Sequence, residues 1–298
     1  STIFLELDAI TKRLIIIGGG VIGAEFASIY SAFGSAVTIV EMLPSILSTE
    51  DDAVSAEVSK GLKSDGVAIK TGTKAERVEK IGGAAKVFLA DGTVVEADKV
   101  LVAVGRKLNS SGLGLESAGI GTERGAVKVD SGMRTNIEGV YAIGDVTGKS
   151  LLAHAASHQG SVAAENALGG NAAMDYSAVP SCIFTKPEAA GVGLSEKKAV
   201  ESGIKVKTGV FPFAANGRAI IAGETQGFVK VVADASTGRI IGVHMAGPRV
   251  TELSGEAALA VGHGATLDSF RKTIHAHPTL TEAVAEAADV CAGTPLHI

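Results

Sequence analysis

The sequence has few cysteines and no long apolar run. Only Cys182 and Cys291 occur in 298 residues, so a disulfide-stapled framework is excluded and a reducing compartment is the expected environment. Glycines and charges interrupt every apolar stretch before it reaches the ~18 residues of a membrane span. The first residues also lack the basic-then-apolar order of a secretory signal. We therefore expect no membrane association.

A strong excess of either charge is absent as well. The net charge is −5 and the pI is near 5.8, which gives no electrostatic reason to expect a nucleic-acid partner. The hydrophobic content of 46% excludes a mostly disordered chain, and the length allows two or three domains. The sequence starts at Ser1 rather than methionine, so we expect the natural amino terminus to lie upstream.

Three regions differ in their patterns. From about residue 12 to 105, apolar runs such as RLIIIG, AVTIVE and KVLVAVG alternate with helical stretches, which predicts a parallel α/β sheet, with a hairpin turn at Asp91-Gly92. Residues 106–175 combine a Gly/Ser-rich crossing, a strand ending in VYAIGD and the helix LLAHAASHQGSVAAENALGG. From 176 to 298, four predicted strands precede two helices, which suggests an α+β domain.

The first strand ends in a glycine-rich turn that fits G-x-G-x-x-G. Gly18 allows the tight turn, Gly20 lets the backbone approach a pyrophosphate, and Gly23 lets helix and strand pack closely. The predicted helix GAEFASIYSAFG follows, with unpaired N–H groups and a dipole that favour a bound anion, and Val21 and Ile22 of the turn are expected to contact the cofactor. The turn follows an apolar strand and precedes an amphipathic helix, so it predicts a dinucleotide site.

Two acidic residues accompany this turn. Glu41 ends the second strand, 18 residues after Gly23, where a carboxylate accepts hydrogen bonds from the adenosine ribose and repels a 2′-phosphate. This predicts NAD rather than NADP, against the alternative of an ordinary surface glutamate. Glu25 lies just after the turn, and its plain interpretation is a first-turn acid that complements the helix dipole.

A second motif lies in TNIEGVYAIGDV at 135–146, where we predict a strand that delivers Gly144 and Asp145 at its carboxyl end. It resembles the second flavin-binding motif of FAD-dependent disulfide oxidoreductases, whose aspartate accepts a hydrogen bond from the FAD ribitol. The plain alternative is a strand followed by an aspartate-capped turn. The segment that resembles the backbone along the isoalloxazine edge consists of Leu151, Leu152, Ala153 and His154.

Further segments narrow the resemblance to one family among the FAD-dependent disulfide oxidoreductases. Gly105-Arg106 resembles the crossover from the NAD domain to the FAD domain, with Gly105 passing close to the nicotinamide; many members continue Arg-x-Pro-Asn, whereas this chain has Leu108 in place of the proline. VPSCIFTKPEAAGVGLSE, GETQGFVKVVAD and HAHPTLTEA resemble the interface domain of the dihydrolipoyl dehydrogenase family. The resemblance implies a Rossmann-like NAD-binding domain (1–105), the returning part of an FAD-binding domain (106–175) and an α+β dimer-interface domain (176–298).

By this resemblance, His277 is the acid/base residue and Glu282 hydrogen-bonds its far nitrogen. A histidine suits proton transfer from a dithiol because its reference pKa is ~6.5, and Pro278 fits the first position of a helix. Two alternatives stay open. Thr279-x-x-Glu282 is also a capping box, compatible with the first role if one carboxylate oxygen serves each. His275-x-His277 with Glu282 could hold a metal, but we expect none because no third strong ligand lies nearby.

The family also uses a Cys-x4-Cys redox pair after a first G-x-G-x-x-G, and neither motif occurs in this sequence. We therefore expect this chain to be the carboxy-terminal two-thirds of such an enzyme. NAD is the expected cofactor of the chain, and FAD is the expected cofactor of the full-length protein. The resemblance implies a homodimer serving a lipoyl-bearing 2-oxo acid dehydrogenase complex or the glycine cleavage system. It also implies a cytoplasmic location, or the mitochondrial matrix if the source is eukaryotic. The alternatives are a glutathione- or mercuric-type flavin disulfide reductase and a non-catalytic NAD-binding, dimerising module.

Overall fold

The computed structural model describes the backbone of residues 2–298 and the side chains from Phe4 onward, so the expectation about Ser1 lies outside the described residues. The helices are Thr2–Leu5 (α1), Val21–Ala32 (α2), Asp52–Ser64 (α3), Ala153–Ala167 (α4), Glu196–Glu201 (α5), Gly217–Ala222 (α6), Val250–Gly262 (α7), Leu267–Lys272 (α8) and Glu282–Ala292 (α9). The strands are Arg13–Ile17 (β1), Ala36–Val40 (β2), Ala68–Lys70 (β3), Ala75–Ile81 (β4), Ala84–Leu89 (β5), Val94–Ala97 (β6), Lys99–Val102 (β7), Thr122–Glu123 (β8), Ala126–Val127 (β9), Ser181–Ile183 (β10), Glu188–Gly193 (β11), Val206–Pro212 (β12), Phe228–Asp234 (β13) and Ile240–Gly247 (β14).

The first sheet is parallel and has the order β3-β2-β1-β7. Its strands are short apolar runs joined by α2 and α3, as the alternating pattern predicts. β4, β5 and β6 form an antiparallel meander before the chain returns to β7, and the predicted hairpin at Asp91-Gly92 joins β5 to β6. Because parallel strands end at the same edge, the turn after β1 and the residue after β2 become neighbours.

The chain divides into two compact units by its contacts, residues 1–105 with 180–298, and residues 106–179. Within the first unit, the hydrophobic core around β1, β2, α2 and α3 also takes in Ile183, Ala189 and Ala246. This shared core joins the parallel sheet to the antiparallel sheet of order β10-β11-β14-β13-β12, which α7 and α9 pack against. The assignment of domains to 1–105, 106–175 and 176–298 stays a prediction.

The second unit has its own small core of Met133, Val162, Ala163 and Met174, formed where α4 packs against the preceding loops. The predicted strand ending in VYAIGD is wrong: Tyr141 forms only an isolated bridge with Arg134, and residues Gly144–Thr147 form a 3-10 turn. A strand needs a neighbour to satisfy its backbone groups along its length, and here the 133–135 segment supplies only a few hydrogen bonds. Ile143 is nevertheless extended, so the segment delivers Gly144 in the predicted direction.

Across the described part of the chain, none of the helices combines the length and apolarity that crossing a membrane requires.

Candidate functional site: a dinucleotide turn and a histidine–carboxylate pair

The turn between β1 and α2 has the close packing that its glycines predict. Gly18 adopts a φ of +106°, and a Cβ there would lie 2.4 Å from the carbonyl oxygen of Ala103. A Cβ on Gly23 would lie 2.0 Å from the carbonyl oxygen of Gly18 and 3.3 Å from Cγ2 of Ile16. Any larger residue at Gly23 would force α2 away from β1, which confirms the packing role of this glycine.

Gly20 has the opposite surroundings. No atom of the described residues lies within 4 Å of where its Cβ would be, and its backbone is extended. The N–H groups of Val21 and Ile22 follow in the first turn of α2, where they have no intrahelical acceptor. Open space beside exposed amides at a helix start fits a dinucleotide pyrophosphate. The binding roles of Gly20, Val21 and Ile22 remain predictions.

Glu41 lies directly against this turn. One carboxylate oxygen, Oε2, accepts a hydrogen bond of 2.6 Å from the N–H of Gly19, and Oε1 accepts one of 2.7 Å from the N–H of Leu43. These bonds fix the carboxylate at the carboxyl end of β2, and each oxygen keeps a lone pair for a further donor. The arrangement places a fixed negative charge where an adenosine ribose is expected to bind.

The interpretation of Glu25 as a first-turn acid is wrong. α2 begins at Val21, so Glu25 falls in its second turn, beyond the orphan N–H groups that a first-turn acid complements. Its Oε1 instead accepts a 3.0 Å hydrogen bond from the N–H of Phe184. The Glu25 side chain therefore joins α2 to the residue that follows β10 of the antiparallel sheet. Its role in cofactor binding stays a prediction.

Gly105 ends the first unit, with a φ of +125° that favours glycine, and its backbone is exposed.

In the second unit, Asp145 forms an ion pair of 3.2 Å with Nη2 of Arg106. The N–H of Gly144 donates 2.6 Å to Oε1 of the fully buried Gln159, whose Nε2 donates to the Tyr176 hydroxyl. Gln159 thus fixes the turn that carries Asp145, a role that the sequence analysis missed.

The segment predicted to lie along the flavin begins α4. Leu152 is the residue just before the helix, with extended backbone angles, and Ala153 and His154 open the first turn. Leu151 keeps 40% of its surface exposed. The Asp145 carboxylate is also half exposed, so a hydroxyl could reach it beside Arg106. These features fit a flavin partner, and the assignment stays a prediction.

His277 and Glu282 meet as expected. Nδ1 of His277 lies 2.8 Å from Oε1 of Glu282, and Oε2 of Glu282 accepts a 2.7 Å hydrogen bond from the N–H of Thr279. The two oxygens thus have separate partners, but the capping box is not formed: α9 begins at Glu282, and the Thr279 hydroxyl bonds to Ala276 and Thr281 instead. A carboxylate only accepts, so Nδ1 carries the proton and Nε2 of the neutral ring is left as a base. The His277 side chain is 76% exposed.

The local charge supports this tautomer. Burial opposes the Glu282 charge, but the hydrogen bonds from Thr279 and His277 outweigh it and lower the pKa of Glu282. The carboxylate is therefore ionised at neutral pH and orients the imidazole. The catalytic roles of both residues remain predictions.

One expectation about this segment is wrong, and the geometry also bears on the metal alternative. Pro278 is not the first residue of a helix: α9 begins at Glu282, and the His277-Pro278 peptide bond is cis in the turn before it. His275 and His277 do not share a face, because Nε2 of His275 lies 2.7 Å from Glu256 instead. Separate carboxylates hold the two rings, so they do not converge on one metal ion.

The two cysteines are uncharged at neutral pH. Cys291 is buried and Cys182 is half-buried, and burial raises the pKa of both thiols. Both thiols therefore pack as small neutral side chains.

A second histidine–carboxylate pair lies one turn along α9. His297 Nδ1 is hydrogen-bonded to Oε1 of Glu286, whose Oε2 is buried without a partner among the described residues. The hydrogen bond and the charge of Glu286, with a contribution from Glu282, raise the pKa of His297. This contact holds the carboxy-terminal segment against the helix that carries Glu282.

We expect the attachment of the carboxy-terminal segment to depend on pH. A histidine with a raised pKa stabilises its contact fully below the unfolded value of ~6.5 and loses that stabilisation as pH rises through the folded pKa. Amide hydrogen exchange should show residues 294–298 less protected at pH 9 than at pH 6, after correction for intrinsic rates. A His297→Gln variant should lose this difference; equal pH dependence in the variant would contradict the assignment.

Comparison with known proteins agrees with this geometry. Residues 1–160 match the pyridine nucleotide-disulphide oxidoreductase family, and residues 179–288 match the dimerisation domain of the same family. The chain therefore belongs to the pyridine nucleotide-disulphide oxidoreductase family, a family of enzymes.

Within that family, its relatives include dihydrolipoyl dehydrogenases. The enzyme of Thermus scotoductus is 47% identical over 98% of this chain, and that of Chlamydia pneumoniae is 44% identical over the whole chain. The chain spans about 64% of the length of both. Among solved structures, LpdA of Mycobacterium tuberculosis is similar with a TM-score of 0.89 and 34% identity, covering 95% of this chain and 62% of that protein. The HOCl-induced flavoprotein disulfide reductase RclA of Escherichia coli gives a TM-score of 0.89 and 30% identity, covering 97% and 66%.

Proposed function

We propose that this chain is the NAD-binding and dimerising portion of a dihydrolipoyl dehydrogenase. The observation that carries the nucleotide assignment is the Glu41 carboxylate, fixed by the Gly19 and Leu43 amides beside the open space at Gly20. The first-turn amides of α2 bind the pyrophosphate, and Glu41 accepts the ribose hydroxyls while repelling a 2′-phosphate. In this proposal residues 1–105 form the NAD-binding domain, Glu25 lies along the bound dinucleotide, and Gly105 passes the nicotinamide.

The proposed reaction oxidises a dihydrolipoyl dithiol to a disulfide, with two electrons and one proton passing to NAD and one proton released. When bound, FAD relays the electron pair between thiol and nicotinamide. In this chain, Asp145 would accept a hydrogen bond from the ribitol, and residues 151–154 would hold the flavin ring. Nε2 of His277 takes the thiol proton while Glu282 holds Nδ1–H.

The same proposal includes a homodimer formed through residues 176–298, a cytoplasmic location, and a lipoyl-bearing multienzyme complex as the partner. The match of residues 179–288 to the family's dimerisation domain supports the dimer. Because the sequence contains no Cys-x4-Cys pair, the polypeptide by itself is expected to form no NADH from dihydrolipoamide. Robust turnover by the purified chain would contradict this expectation.

A Glu41→Ala variant tests the nucleotide assignment. Removing the charged acceptor should weaken NAD binding roughly tenfold, since a hydrogen bond to a charged group contributes about 1.5–3 kcal/mol. NADP binding should not weaken, because the repulsion of its 2′-phosphate disappears as well. Calorimetric titration of both nucleotides measures the ratio. The matched control is Glu76→Ala, an exposed glutamate on β4, which should leave both affinities unchanged. An unaltered NAD-to-NADP ratio in the Glu41 variant would overturn the assignment.

A further inference from the structure

The segment between Glu41 and α3, residues 42–51, holds the glycine turn in place. The N–H of Leu47 donates 2.8 Å to the carbonyl oxygen of Gly19. The buried Ile46 side chain lies so close to Gly19 that a Cβ there would be 2.7 Å from its Cγ2. Gly19 is in turn the donor to Glu41. The geometry of the dinucleotide turn therefore depends on where this segment lies.

The far end of the segment is attached to the antiparallel-sheet region by a buried ion pair. Nζ of Lys230, on β13, lies 3.1 and 3.0 Å from the two carboxylate oxygens of Asp51, and 2.8 Å from Oε2 of Glu196. The Lys230 and Asp51 side chains are only 9% and 2% exposed. Asp51 also caps α3 by accepting from the N–H of Ala53. One carboxylate thus joins β13 to the start of a helix in the NAD-binding region.

Two weaker contacts attach the same segment to the same region. Nζ of Lys198 donates 3.2 Å to the carbonyl oxygen of Thr49, and the hydroxyl of Ser181 donates 3.1 Å to Oε1 of Glu50. Consecutive residues 49, 50 and 51 are therefore each held by a residue beyond position 180. The contacts that reach Gly19 start from the neighbouring residues 46 and 47.

Burial and hydrogen bonding decide the charges of Lys230 and of its neighbour His244. Burial opposes the Lys230 charge, but hydrogen bonds with Glu196 and Asp51 outweigh it and raise the pKa of Lys230. His244 pairs with Lys230 across β13 and β14, and burial lowers the pKa of His244, so this ring is neutral. Lys230 is therefore the cation that faces Asp51 and Glu196.

We propose that Lys230 is a positioning residue for dinucleotide binding. It fixes Asp51, Asp51 fixes the 42–51 segment, and that segment holds Gly19 and the turn that receives the pyrophosphate. The affinity of the NAD-binding region thus depends on residues of the dimerisation region that contact no nucleotide. This inference rests on the proposed NAD-binding function.

The test is a double variant, Asp51→Asn with Lys230→Met. It removes the ion pair without leaving a buried uncompensated charge, and asparagine retains the helix-capping role. We expect the NAD and ADP-ribose dissociation constants, measured by calorimetry, to rise roughly tenfold, because a smaller fraction of molecules holds the competent turn. Amide exchange at Leu47 should quicken, while the melting temperature stays close to that of the parent chain.

The matched control is Arg271→Met with Asp289→Asn, which removes an ion pair between α8 and α9 in the same compact unit. This control should bind NAD as the parent chain does. Unchanged NAD affinity in a folded Asp51/Lys230 double variant would overturn the inference. Should that variant not fold, Glu196→Gln decides: a two- to threefold weaker affinity supports the inference, and equal affinity overturns it. Failure of the parent chain to bind NAD would instead refute the proposed function.

Discussion

A Gly20→Val variant is expected to fold normally and to bind NAD roughly 100-fold more weakly, a loss of about 2.7 kcal/mol. A Cβ at Gly20 has open space around it beyond its chain neighbours, so we expect the fold to accept the branched side chain. The same space is where the pyrophosphate approaches the backbone, and a branched side chain there excludes it. Calorimetry with NAD measures the loss, and thermal unfolding shows whether the fold is retained.

Two further glycine variants control this experiment. Gly255→Val adds the same side chain at another open position, in α7, and should leave NAD affinity unchanged. Gly23→Ala should lower both stability and affinity, since its methyl group would collide with the Gly18 carbonyl. Undiminished NAD affinity in the Gly20→Val variant would show that the nucleotide does not bind across this turn.

A single Lys230→Met variant is expected to lower the free energy of unfolding by about 3–5 kcal/mol. It leaves the Asp51 carboxylate, 2% exposed, without its cation in a region that water does not reach. Removing one partner of a buried ion pair is costly because the other charge remains desolvated. Urea denaturation, followed by far-ultraviolet circular dichroism, measures the difference.

The double variant with Asp51→Asn should recover most of this loss, because no buried charge is then left alone. A surface comparison is Lys272→Met, which breaks an exposed ion pair with Asp268 and should cost at most about 1 kcal/mol. If Lys230→Met were no more destabilising than Lys272→Met, the buried pair would not join the two regions energetically.

Local sequence pattern was sufficient to predict the parallel sheet. β1 and β2 are apolar runs buried on both faces, β7 is a short apolar run buried at Leu101, and α2 and α3 have helical periodicity, so each element is encoded within its own residues. The same holds for the glycine turn, whose role follows from the lack of a side chain. Fold class and the placement of Glu41 beside the turn could therefore be read from the sequence.

The wrong predictions concern elements whose structure is decided by distant partners. The VYAIGD segment has the composition of a strand, but strand formation depends on a neighbour that no local pattern specifies. Pro278 is compatible with a helix start, yet it lies in the turn before α9, where the His277-Pro278 peptide bond is cis. Glu25 was expected in the first turn of α2 because the helix was predicted to start at Gly23. It starts at Val21, which puts Glu25 in the second turn.

Some residues of the site were predicted and others were missed, again because distant partners cannot be read from local sequence. His277 and Glu282 are five residues apart, and the family resemblance pointed to both. Gln159 and Lys230 were missed because their partners, at positions 144 and 51, come together only in the folded chain. A polar residue within an apolar element, as Lys230 is on β13, was the available signal, since a buried lysine requires a counter-charge.

The central claim is that residues 13–41 bind NAD and discriminate against NADP. Calorimetric titration of the purified chain with each nucleotide tests it most directly, with no need for flavin or for a second protein. We expect saturable NAD binding and NADP binding at least roughly tenfold weaker, because the Glu41 carboxylate would repel the 2′-phosphate. Equal affinity for the two nucleotides, or no binding of NAD by the folded chain, would contradict it.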